Sequence, residues 1–301
     1  LKKKFKIFGV DNYFSGSKTR TKKLLKEFEN FRFFEVDIRD NLKLDTIFKK
    51  VDVVINLAGQ VSVQRSFSDV LENDSINSQG FINILNLCLK NEIKNLIFAS
   101  SCSVYGESNI IPIGENISLD PKSPYAISKI SNEEYSRLFG KLDNELVITG
   151  LRFFNVVGPW QSVNSDYGAV IPRWINSFFK NEIPIIFGDG NATRDFVDVY
   201  DLSRLIEKII TSKKKYSYEI FNLGSGNELK ITDLFKIMMN VMKSHNIKFS
   251  FSKPKFEKKR EGDILRSLSD NSKISKMFDY KDFIDIDKSI SRIISEQYGE
   301  K

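Results

Sequence analysis

The sequence has few of the side chains that bind transition metals or form covalent cross-links. It contains one histidine, His245, and two cysteines, Cys88 and Cys102, among 301 residues. A single histidine excludes histidine-based catalytic triads and most zinc sites. Two cysteines in apolar surroundings support neither a disulfide framework nor a metal site, and they fit a reducing compartment. We therefore expect no metal, and a chemistry that relies on other groups.

Long apolar runs, signal-peptide patterns, internal repeats and low-complexity linkers are also missing. No apolar run reaches the ~18 residues that a membrane-spanning helix needs, so we expect a cytoplasmic protein without a membrane partner. The net charge of +7 comes from lysines scattered along the chain. Neither a basic face interleaved with aromatics nor a nucleic-acid-reading motif accompanies it. We therefore expect an anionic small substrate and no nucleic acid.

The chain is long enough for one large and one small domain, and 41% of its residues are apolar. Strand patterns alternate with helix patterns up to Arg152, and the alternation loosens beyond that residue. This order predicts an α/β fold in which helices cover both faces of a doubly wound parallel sheet. The run 51–57 is nearly continuous and apolar, which indicates a strand buried on both faces.

Polar and small residues follow several predicted strands, at the edge where open α/β sheets bind their ligands. Ala58 and Gly59 follow the run 51–57, and Ser101 follows the next predicted strand. Asp11 follows the first strand. In dinucleotide-binding folds, an acid at a strand end binds the adenosine ribose and disfavours a 2′-phosphate, which favours NAD. A turn aspartate that caps the next helix would show the same pattern.

Tyr125 and Lys129 stand at the start of a predicted helix, after Pro124 has halted the preceding loop. Residues four positions apart project from one helix face, so the phenol and the ammonium can reach one ligand together. An isolated phenol has a pKa of about 10, and a nearby cation favours its ionised form. The pair can therefore supply a base closer to neutral pH, although the same spacing also occurs on solvated helix faces.

A series of short motifs resembles the extended short-chain dehydrogenase/reductase family, specifically its NAD-dependent nucleotide-sugar epimerases. The motifs are Val10-Asp11-Asn12, Asp37-Ile38-Arg39-Asp40, Leu57-Ala58-Gly59-Gln60, Ser103-Val104-Tyr105-Gly106, Ser123-Pro124-Tyr125, Leu151-Arg152-Phe153-Phe154-Asn155, Gly188-Asp189-Gly190, Thr193-Arg194-Asp195-Phe196 and Arg260-Glu261-Gly262-Asp263. Their order and spacing carry the resemblance. It implies a Rossmann-like NAD-binding domain over 1–155 and a mainly nucleotide-sugar-binding domain over 156–301, with 195–212 returning to the first. It also implies a homodimer.

The resemblance implies roles for individual residues. The catalytic residues are Tyr125 as the base, Lys129, which lowers the pKa of the phenol and holds the nicotinamide ribose, and Ser101, which binds the sugar 4-oxygen. The cofactor contacts are Asp11, Asn12, Asp37, Ile38, Ala58, Gly59, Gln60, Asn77, Tyr125 and Lys129. The substrate contacts are Ser62, Ser101, Asn155, Ala169, Val170, Trp174, Arg194, Arg260, Asp263 and Ser267. The two arginines suit a diphosphate, whereas Trp174 could equally be a core aromatic.

The two positions after Ser101 bear on the reaction that the resemblance implies. Dehydratases of the family have an Asp-Glu pair there and decarboxylases have a Glu at the second position, whereas this chain has Cys102 and Ser103. Without these acids, the 4-keto intermediate can only be reduced again. The resemblance therefore implies 4-epimerisation of a UDP-hexose, with NAD regenerated in each cycle.

Ser267 bears on the sugar, because in the similar epimerases this position limits the size of the C2 substituent. A serine leaves room for an N-acetyl group, and the segment 60–66 also resembles epimerases of N-acetylated UDP-sugars. We therefore predict UDP-GlcNAc/UDP-GalNAc as substrates. UDP-glucose or a UDP-hexuronate stays an alternative, as does an inactive nucleotide-sugar-binding homologue, and Ser267 could instead point away from the sugar.

The family's opening feature, a strand followed by G-x-x-G-x-x-G, does not occur in this sequence. In that feature, backbone N–H groups and a helix N-terminus approach the pyrophosphate of the cofactor. The strand predicted at 5–10 aligns with the family's second strand, which would place Leu1 at the end of a missing helix. We therefore expect the chain in this form to fold weakly and to retain NAD weakly.

Overall fold

The structure is a computed structural model that describes residues 5–143, 145–161, 169–214, 216–259 and 264–299. Its strands are β1 (Ile7–Asp11), β2 (Phe31–Glu35), β3 (Val53–Asn56), β4 (Asn95–Ser101), β5 (Val147–Phe153), β6 (Asn155–Val157), β7 (Ile185–Phe187), β8 (Thr193–Asp198), β9 (Tyr218–Leu223), β10 (Glu228–Lys230) and β11 (Lys255–Glu257). Its α-helices are α1 (Lys18–Glu27), α2 (Asn41–Phe48), α3 (Val63–Ser68), α4 (Val70–Asp74), α5 (Gly80–Lys90), α6 (Pro124–Leu142), α7 (Val170–Phe179), α8 (Val199–Thr211), α9 (Ile231–Ser244), α10 (Ser272–Phe278) and α11 (Ile286–Tyr298).

Four parallel strands form the main sheet in the order β3-β4-β5-β9. One hydrophobic cluster packs α2 and α5 against one face of this sheet, with Phe98 of β4 in it. A second cluster packs α8 and α10 against the opposite face, with Ile97 of β4 and Phe221 of β9. Neighbouring side chains of β4 therefore enter different cores, as the alternation of a strand requires. The predicted α/β fold with a parallel sheet is confirmed.

Strand β3 forms one edge of the main sheet, and this position corrects the expectation of a strand buried on both faces. Ile55 is 43% exposed and Leu57 is 49% exposed, because no strand of the described residues bonds to the outer edge of β3. Strands β1 and β2 pair in parallel with each other as a separate sheet. In the doubly wound order, a first strand would lie between β1 and β3. Its absence stays a prediction, and Leu1 lies outside the described residues.

Beyond β5, the chain forms short strands that the sequence pattern did not predict. Strands β6, β8 and β10 form one small sheet, and β7 and β11 form another. Helices α7, α9 and α11 contribute to a third core, which contains Trp174, Phe178 and Phe235. Four of these strands, β6, β7, β10 and β11, have three residues each, which is too short for an alternating pattern to be recognised, and the six residues of β8 do not alternate between apolar and polar. In the part of the chain that the structure describes, no helix has both the length and the apolar character needed to cross a bilayer.

Candidate active site

Helix α6 begins at a short segment that sets the position of Tyr125. The Ser123 hydroxyl accepts a hydrogen bond from the Ala126 N–H at 3.1 Å, and Pro124 takes the first helical position. A serine cap followed by proline is a favoured helix start, because the cap satisfies an N–H that has no partner within the helix. Tyr125 and Lys129 therefore occupy the first turns of α6, as predicted from the sequence.

Ser101, Tyr125 and Lys129 meet where β4 ends. The Ser101 side chain lies beside the Tyr125 phenol, close enough to act on its pKa. The Lys129 ammonium lies 5.6 Å from the centroid of the Tyr125 ring, and its Nζ donates to the Ala99 carbonyl at 2.9 Å. Tyr125 and Lys129 are only 9% and 5% exposed. The structure thus brings the three predicted catalytic side chains together in a site with little water.

Burial is the largest influence on the ionisation of this pair in the protein without its ligands, whereas the phenol that titrates closer to neutral pH stays a prediction for the site with its ligands bound. Burial raises the pKa of Tyr125 to about 12, although the neighbouring Ser101 side chain acts in the opposite direction. Burial also lowers the pKa of Lys129 to about 8, while the charge of Glu133 acts to raise it. Removing a charged group from water costs free energy, and in the protein alone this cost is the largest influence on the pKa of both groups.

The residues after β3 form a loop that Asn77 holds in place. Asn77 Oδ1 accepts from the Gln60 N–H at 2.8 Å, and Asn77 Nδ2 donates to the Gln60 carbonyl at 2.9 Å. Asn77 lies in a π-helical turn, Ser75–Gln79, of a kind that is frequent at functional sites. A Cβ atom on Gly59 would lie 2.9 Å from Asn77 Oδ1 and 3.7 Å from Lys129 Nζ. The absence of a side chain at Gly59 therefore lets the backbone approach both groups.

A second group of predicted cofactor contacts lies at the ends of β1 and β2. Asn12 Nδ2 donates to Asp37 Oδ2 at 2.8 Å, and Asp37 forms an ion pair with Arg39 at 2.7 Å. Hydrogen bonds from Arg39 and Asn12 hold the pKa of the Asp37 carboxyl well below its usual range. The Asp11 carboxylate accepts from the Tyr13 N–H at 2.6 Å and is otherwise exposed. The structure thus brings Asn12 and Asp37 together, with Asp11 next to them in the chain.

The remaining predicted cofactor contacts are Ile38 and Ala58. The Ile38 side chain lies against the start of α5, and Ala58 is exposed just after β3. The residues present fit NAD on two observations. Asp11 offers an exposed carboxylate at a strand end, which suits the hydroxyls of a ribose. Lys129 offers a buried cation with N–H donors, next to the loop at Gly59, where the backbone carries no side chain.

A cavity of about 270 Å³ lies between α7 and the strands β6 and β8. Five predicted substrate contacts line it, namely Asn155, Ala169, Val170, Trp174 and Arg194. Arg194 Nη1 donates to the carbonyls of Thr193 and Ile264 at 2.7 and 2.8 Å, so part of its guanidinium is held by backbone. Arg173 also lines the cavity. It was not predicted as a contact, although it precedes Trp174 directly and shares its helix.

Trp174 belongs to the hydrophobic core as well as to the cavity wall. Its Nε1 donates to the Ile185 carbonyl at 3.0 Å, and its ring meets Phe235 edge-on with 5.9 Å between the centroids. Aromatic pairs in this geometry stabilise a core beyond the area that they bury. The alternative interpretation of Trp174 as a core aromatic therefore holds, and the ring also lines the cavity.

Ser267 lies beside the residue that follows Ser101. It is buried, and its side chain lies close enough to Cys102 to act on the pKa of the thiol. Burial raises the pKa of the Cys102 thiol to about 12, so this thiol is neutral near pH 7. The structure thus brings position 267 next to the end of β4, close to Ser101 and Tyr125.

Of the three other predicted substrate contacts, only Ser62 lies within the described residues. Ser62 Oγ accepts a hydrogen bond from the Arg65 N–H at 3.1 Å and so caps α3. The Ser62 N–H in turn donates to the Gln60 side chain. Helix capping by itself accounts for a serine at this position. Arg260 and Asp263 lie outside the described residues.

A buried ion pair behind Lys129 was not predicted from the sequence. Glu133 and Arg152 form two hydrogen bonds, at 2.9 and 2.6 Å, and each residue is 4% exposed. Glu133 follows Lys129 by four positions, which places both on one face of α6. This spacing is the signal that could have identified Glu133.

Comparisons with known proteins agree with the fold and identify the family. The family model of the NAD dependent epimerase/dehydratase family matches residues 1–224. A Methanocaldococcus jannaschii protein provisionally named UDP-glucose 4-epimerase is 36% identical over 298 residues, which cover 98% of this chain and 91% of that protein. The UDP-glucuronate 4-epimerase of Thermodesulfobacterium geofontis is 31% identical over 309 residues, which cover 98% of this chain and 89% of that protein.

Two solved structures extend these similarities to the fold. The UDP-N-acetylglucosamine 4-epimerase of Methanobrevibacter ruminantium M1, in complex with UDP-N-acetylmuramic acid, has a TM-score of 0.86 and 31% identity, and covers 96% of this chain and 89% of its own. The UDP-glucose 4-epimerase of Thermotoga maritima, with UDP-glucose, has a TM-score of 0.85 and 27% identity over the same shares. The relatives therefore share one fold but differ in the sugar that they are named for.

Proposed function

Because the chain belongs to the NAD dependent epimerase/dehydratase family, we propose that it catalyses the 4-epimerisation of a UDP-sugar, with UDP-GlcNAc and UDP-GalNAc as the preferred pair. The observation that carries this proposal is the meeting of Ser101, Tyr125 and Lys129 at the end of β4. The UDP-sugar 4-epimerases among the relatives, which align over nearly the whole chain, support it.

In the proposed reaction, Tyr125 takes the proton of the sugar 4-hydroxyl and later returns one to the 4-oxygen. Ser101, which lies beside Tyr125, holds the 4-oxygen within reach of the phenol. A bound NAD would supply the acceptor and donor of the C4 hydride and would add the positive charge of its nicotinamide ring to the site. The positive charge of Lys129 also favours the phenolate form of Tyr125. This effect opposes burial, which raises the pKa of Tyr125.

The residues after Ser101 support epimerisation over elimination or decarboxylation. Elimination would require an acid and a base beside the oxidised sugar. Cys102 is neutral near pH 7 because burial raises the pKa of its thiol to about 12, and Ser103 offers a hydroxyl. Neither side chain supplies an ionised acid next to Ser101. Reduction of the 4-keto sugar from its other face is then the step that remains.

The surroundings of Ser267 support an N-acetylated sugar. The side chain at this position is small and lies buried beside Cys102, near the end of β4. The similarity to a UDP-N-acetylglucosamine 4-epimerase points the same way. Arg173 and Arg194 both line the neighbouring cavity, where guanidinium groups suit the oxygens of a diphosphate. Relatives named for UDP-glucose and UDP-glucuronate make those sugars the second candidates.

A homodimer through α6 is part of the proposal. Ile127, Leu138 and Leu142 are exposed apolar side chains of this helix, and Leu71 of α4 is exposed as well. Large exposed apolar side chains that share a region of the surface are typical of interaction sites. Light scattering coupled to gel filtration tests the assembly. A monomer at micromolar concentration would contradict it.

An NMR time course with UDP-GlcNAc, UDP-glucose and UDP-glucuronate, each with added NAD, tests the proposed function. We expect conversion of UDP-GlcNAc to UDP-GalNAc with the highest kcat/KM, by about tenfold over UDP-glucose, as one well-fitted substituent can provide. The matched variant is Ser267→Tyr, which should suppress turnover of UDP-GlcNAc and preserve that of UDP-glucose.

Each outcome of this time course is decisive. Faster turnover of UDP-glucose or UDP-glucuronate would overturn the choice of sugar but keep the reaction. No turnover of any UDP-sugar by protein with bound NAD would overturn the reaction itself and favour a nucleotide-sugar-binding role. Bound NAD is measured separately, from the absorbance of cofactor released by denaturation, so that an empty enzyme is not mistaken for an inactive one.

A further inference from the structure

The ion pair between Glu133 and Arg152 is completed by hydrogen bonds from three other elements. The Ser100 hydroxyl donates to Glu133 Oε1. Arg152 Nη1 donates to the Tyr105 hydroxyl at 2.8 Å and to a loop carbonyl, at Glu115, at 3.1 Å. These bonds join the end of β4, the 3₁₀ helix Cys102–Tyr105, the strand β5 and the helix α6.

The residues of this hydrogen-bond network adjoin, in sequence, the residues of the candidate active site. Ser100 precedes Ser101, and Glu133 lies one helical turn after Lys129. Tyr105 ends the 3₁₀ helix that starts immediately after Ser101. A shift of the Glu133 carboxylate would therefore move the end of β4 and the first turns of α6 relative to each other.

Stability alone does not account for a charged pair at this depth. Taking two charges out of water costs free energy, and their mutual attraction often does no more than offset this cost. A protein with well-packed apolar residues in place of a buried ion pair is frequently as stable, or more stable. Both residues of the pair are 4% exposed. A pair of this kind, next to a proposed catalytic lysine, points to a role in the site.

The charge of Glu133 also acts on Lys129. Burial lowers the pKa of Lys129 to about 8, and the negative charge of Glu133 opposes this change. The charged and titratable groups that face Lys129 and Glu133 from the elements packed around them are Tyr125 on α6, Cys102 and Tyr105 after β4, Arg152 on β5, Tyr218 on β9 and Glu115 in a loop. Of these, Arg152 bonds directly to Glu133.

We propose that Glu133 is a positioning residue of the active site, which aligns Lys129 with Ser101 through its buried pair with Arg152 and keeps the lysine positively charged. This proposal rests on the proposed function for its effect on catalysis. Its effect on the lysine is a property of the protein itself and can be measured without substrate.

The test compares Glu133→Gln with Glu134→Gln. Glu134 is the neighbouring residue on the exposed side of α6, where it pairs with Arg137 at the surface, so both variants lose the same charge from the same helix. We expect kcat to fall about tenfold or more in Glu133→Gln, with KM for the UDP-sugar changed little, and the alkaline limit of kcat to move down by about one pH unit. Glu134→Gln should behave as wild type.

A measurement without substrate separates this proposal from the proposed function. A lysine whose pKa is lower in the folded than in the unfolded protein makes stability rise as pH passes above its folded value. The contribution of Lys129 to the free energy of unfolding, measured as the difference between wild type and Lys129→Met, should therefore rise above pH ~8, and in Glu133→Gln this rise should begin at lower pH. In a Lys129→Met background, the change in stability caused by Glu133→Gln should no longer depend on pH between about 7 and 9.5.

A third variant guards against simple loss of folding. Glu133→Asp keeps the negative charge on a side chain that is one methylene shorter. The alkaline limit of kcat should therefore stay as in wild type, even if the variant is less stable. Equal loss of stability in Glu133→Gln and Glu133→Asp, with no change in the pH at which stability or kcat changes, would overturn the proposal. If no UDP-sugar is turned over, the pH dependence of unfolding still decides whether Glu133 governs Lys129.

Discussion

The region around β4 and α6 and the region around β1 and β2 both contribute predicted ligand contacts, yet they are built differently. In the first, Lys129, Glu133 and Arg152 are buried, and hydrogen bonds link β4, β5 and α6. In the second, Asp37 pairs with Arg39 two residues away, and both side chains are partly exposed. One region is cross-linked through its interior, and the other mainly through local contacts at the surface.

This difference indicates how strongly each region is preorganised in the absence of its ligand. Buried charge pairs tolerate little displacement, because each partner left alone would be an uncompensated charge in a poor solvent. Exposed pairs contribute little and exchange readily with water. We infer that the geometry around Tyr125 is set by the protein, whereas the contacts of Asp11 and Asp37 adjust when a cofactor binds.

The largest expected effect is on the chemistry of the β4 and α6 region. Tyr125→Phe removes the proposed proton carrier and keeps the ring, so kcat for epimerisation should fall by about 10²- to 10⁴-fold. The matched control is Tyr135→Phe, on the exposed side of the same helix, which should change kcat little. Bound NAD, measured by absorbance, should stay close to wild type. A Tyr125→Phe variant with at least a tenth of wild-type kcat would contradict the role of Tyr125.

The next effect compares the two regions by stability. Phe98 of β4 is fully buried against Phe81, so Phe98→Ala should lower the free energy of unfolding by about 3–5 kcal/mol. Phe8 of β1 stacks on Phe34 but is only partly buried. Phe8→Ala should therefore cost about half as much or less. Urea unfolding of both variants measures the difference, and equal losses would show that the β1 and β2 region is as firmly packed as the main sheet.

The smallest effect concerns Asp37. Hydrogen bonds from Arg39 hold its pKa below the usual range, so the carboxylate adds stability above pH ~4 and loses it as pH falls towards its folded value. Because the pair is partly exposed, Asp37→Asn should cost less than about 1 kcal/mol at pH 7. The difference in free energy of unfolding between wild type and Asp37→Asn should become smaller below pH ~4, as measured from unfolding curves at a series of pH values. A difference that is independent of pH would exclude ionisation as its cause.

Much of the fold followed from local patterns. The alternation of strands and helices up to Arg152 predicted the parallel sheet, and the segment Ser123, Pro124, Tyr125 marked the start of α6. These features could be predicted because periodicity and helix capping depend on residues that are close together in the sequence. The strands β6, β7, β8, β10 and β11 could not be predicted in this way, because each is stabilised by partners distant in sequence rather than by its own pattern.

The sequence alone established which residues could carry the chemistry: a tyrosine and a lysine on one helix face, a serine at a strand end, and no acid beside it. It could not establish their ionisation, because the pKa values of Tyr125 and Lys129 depend on burial, which every packed element decides together. Nor could it reveal that Arg152 reaches Glu133, since that contact joins a strand to a helix. Composition and spacing determine the available groups, whereas the distances and the surrounding dielectric arise only when the chain is folded.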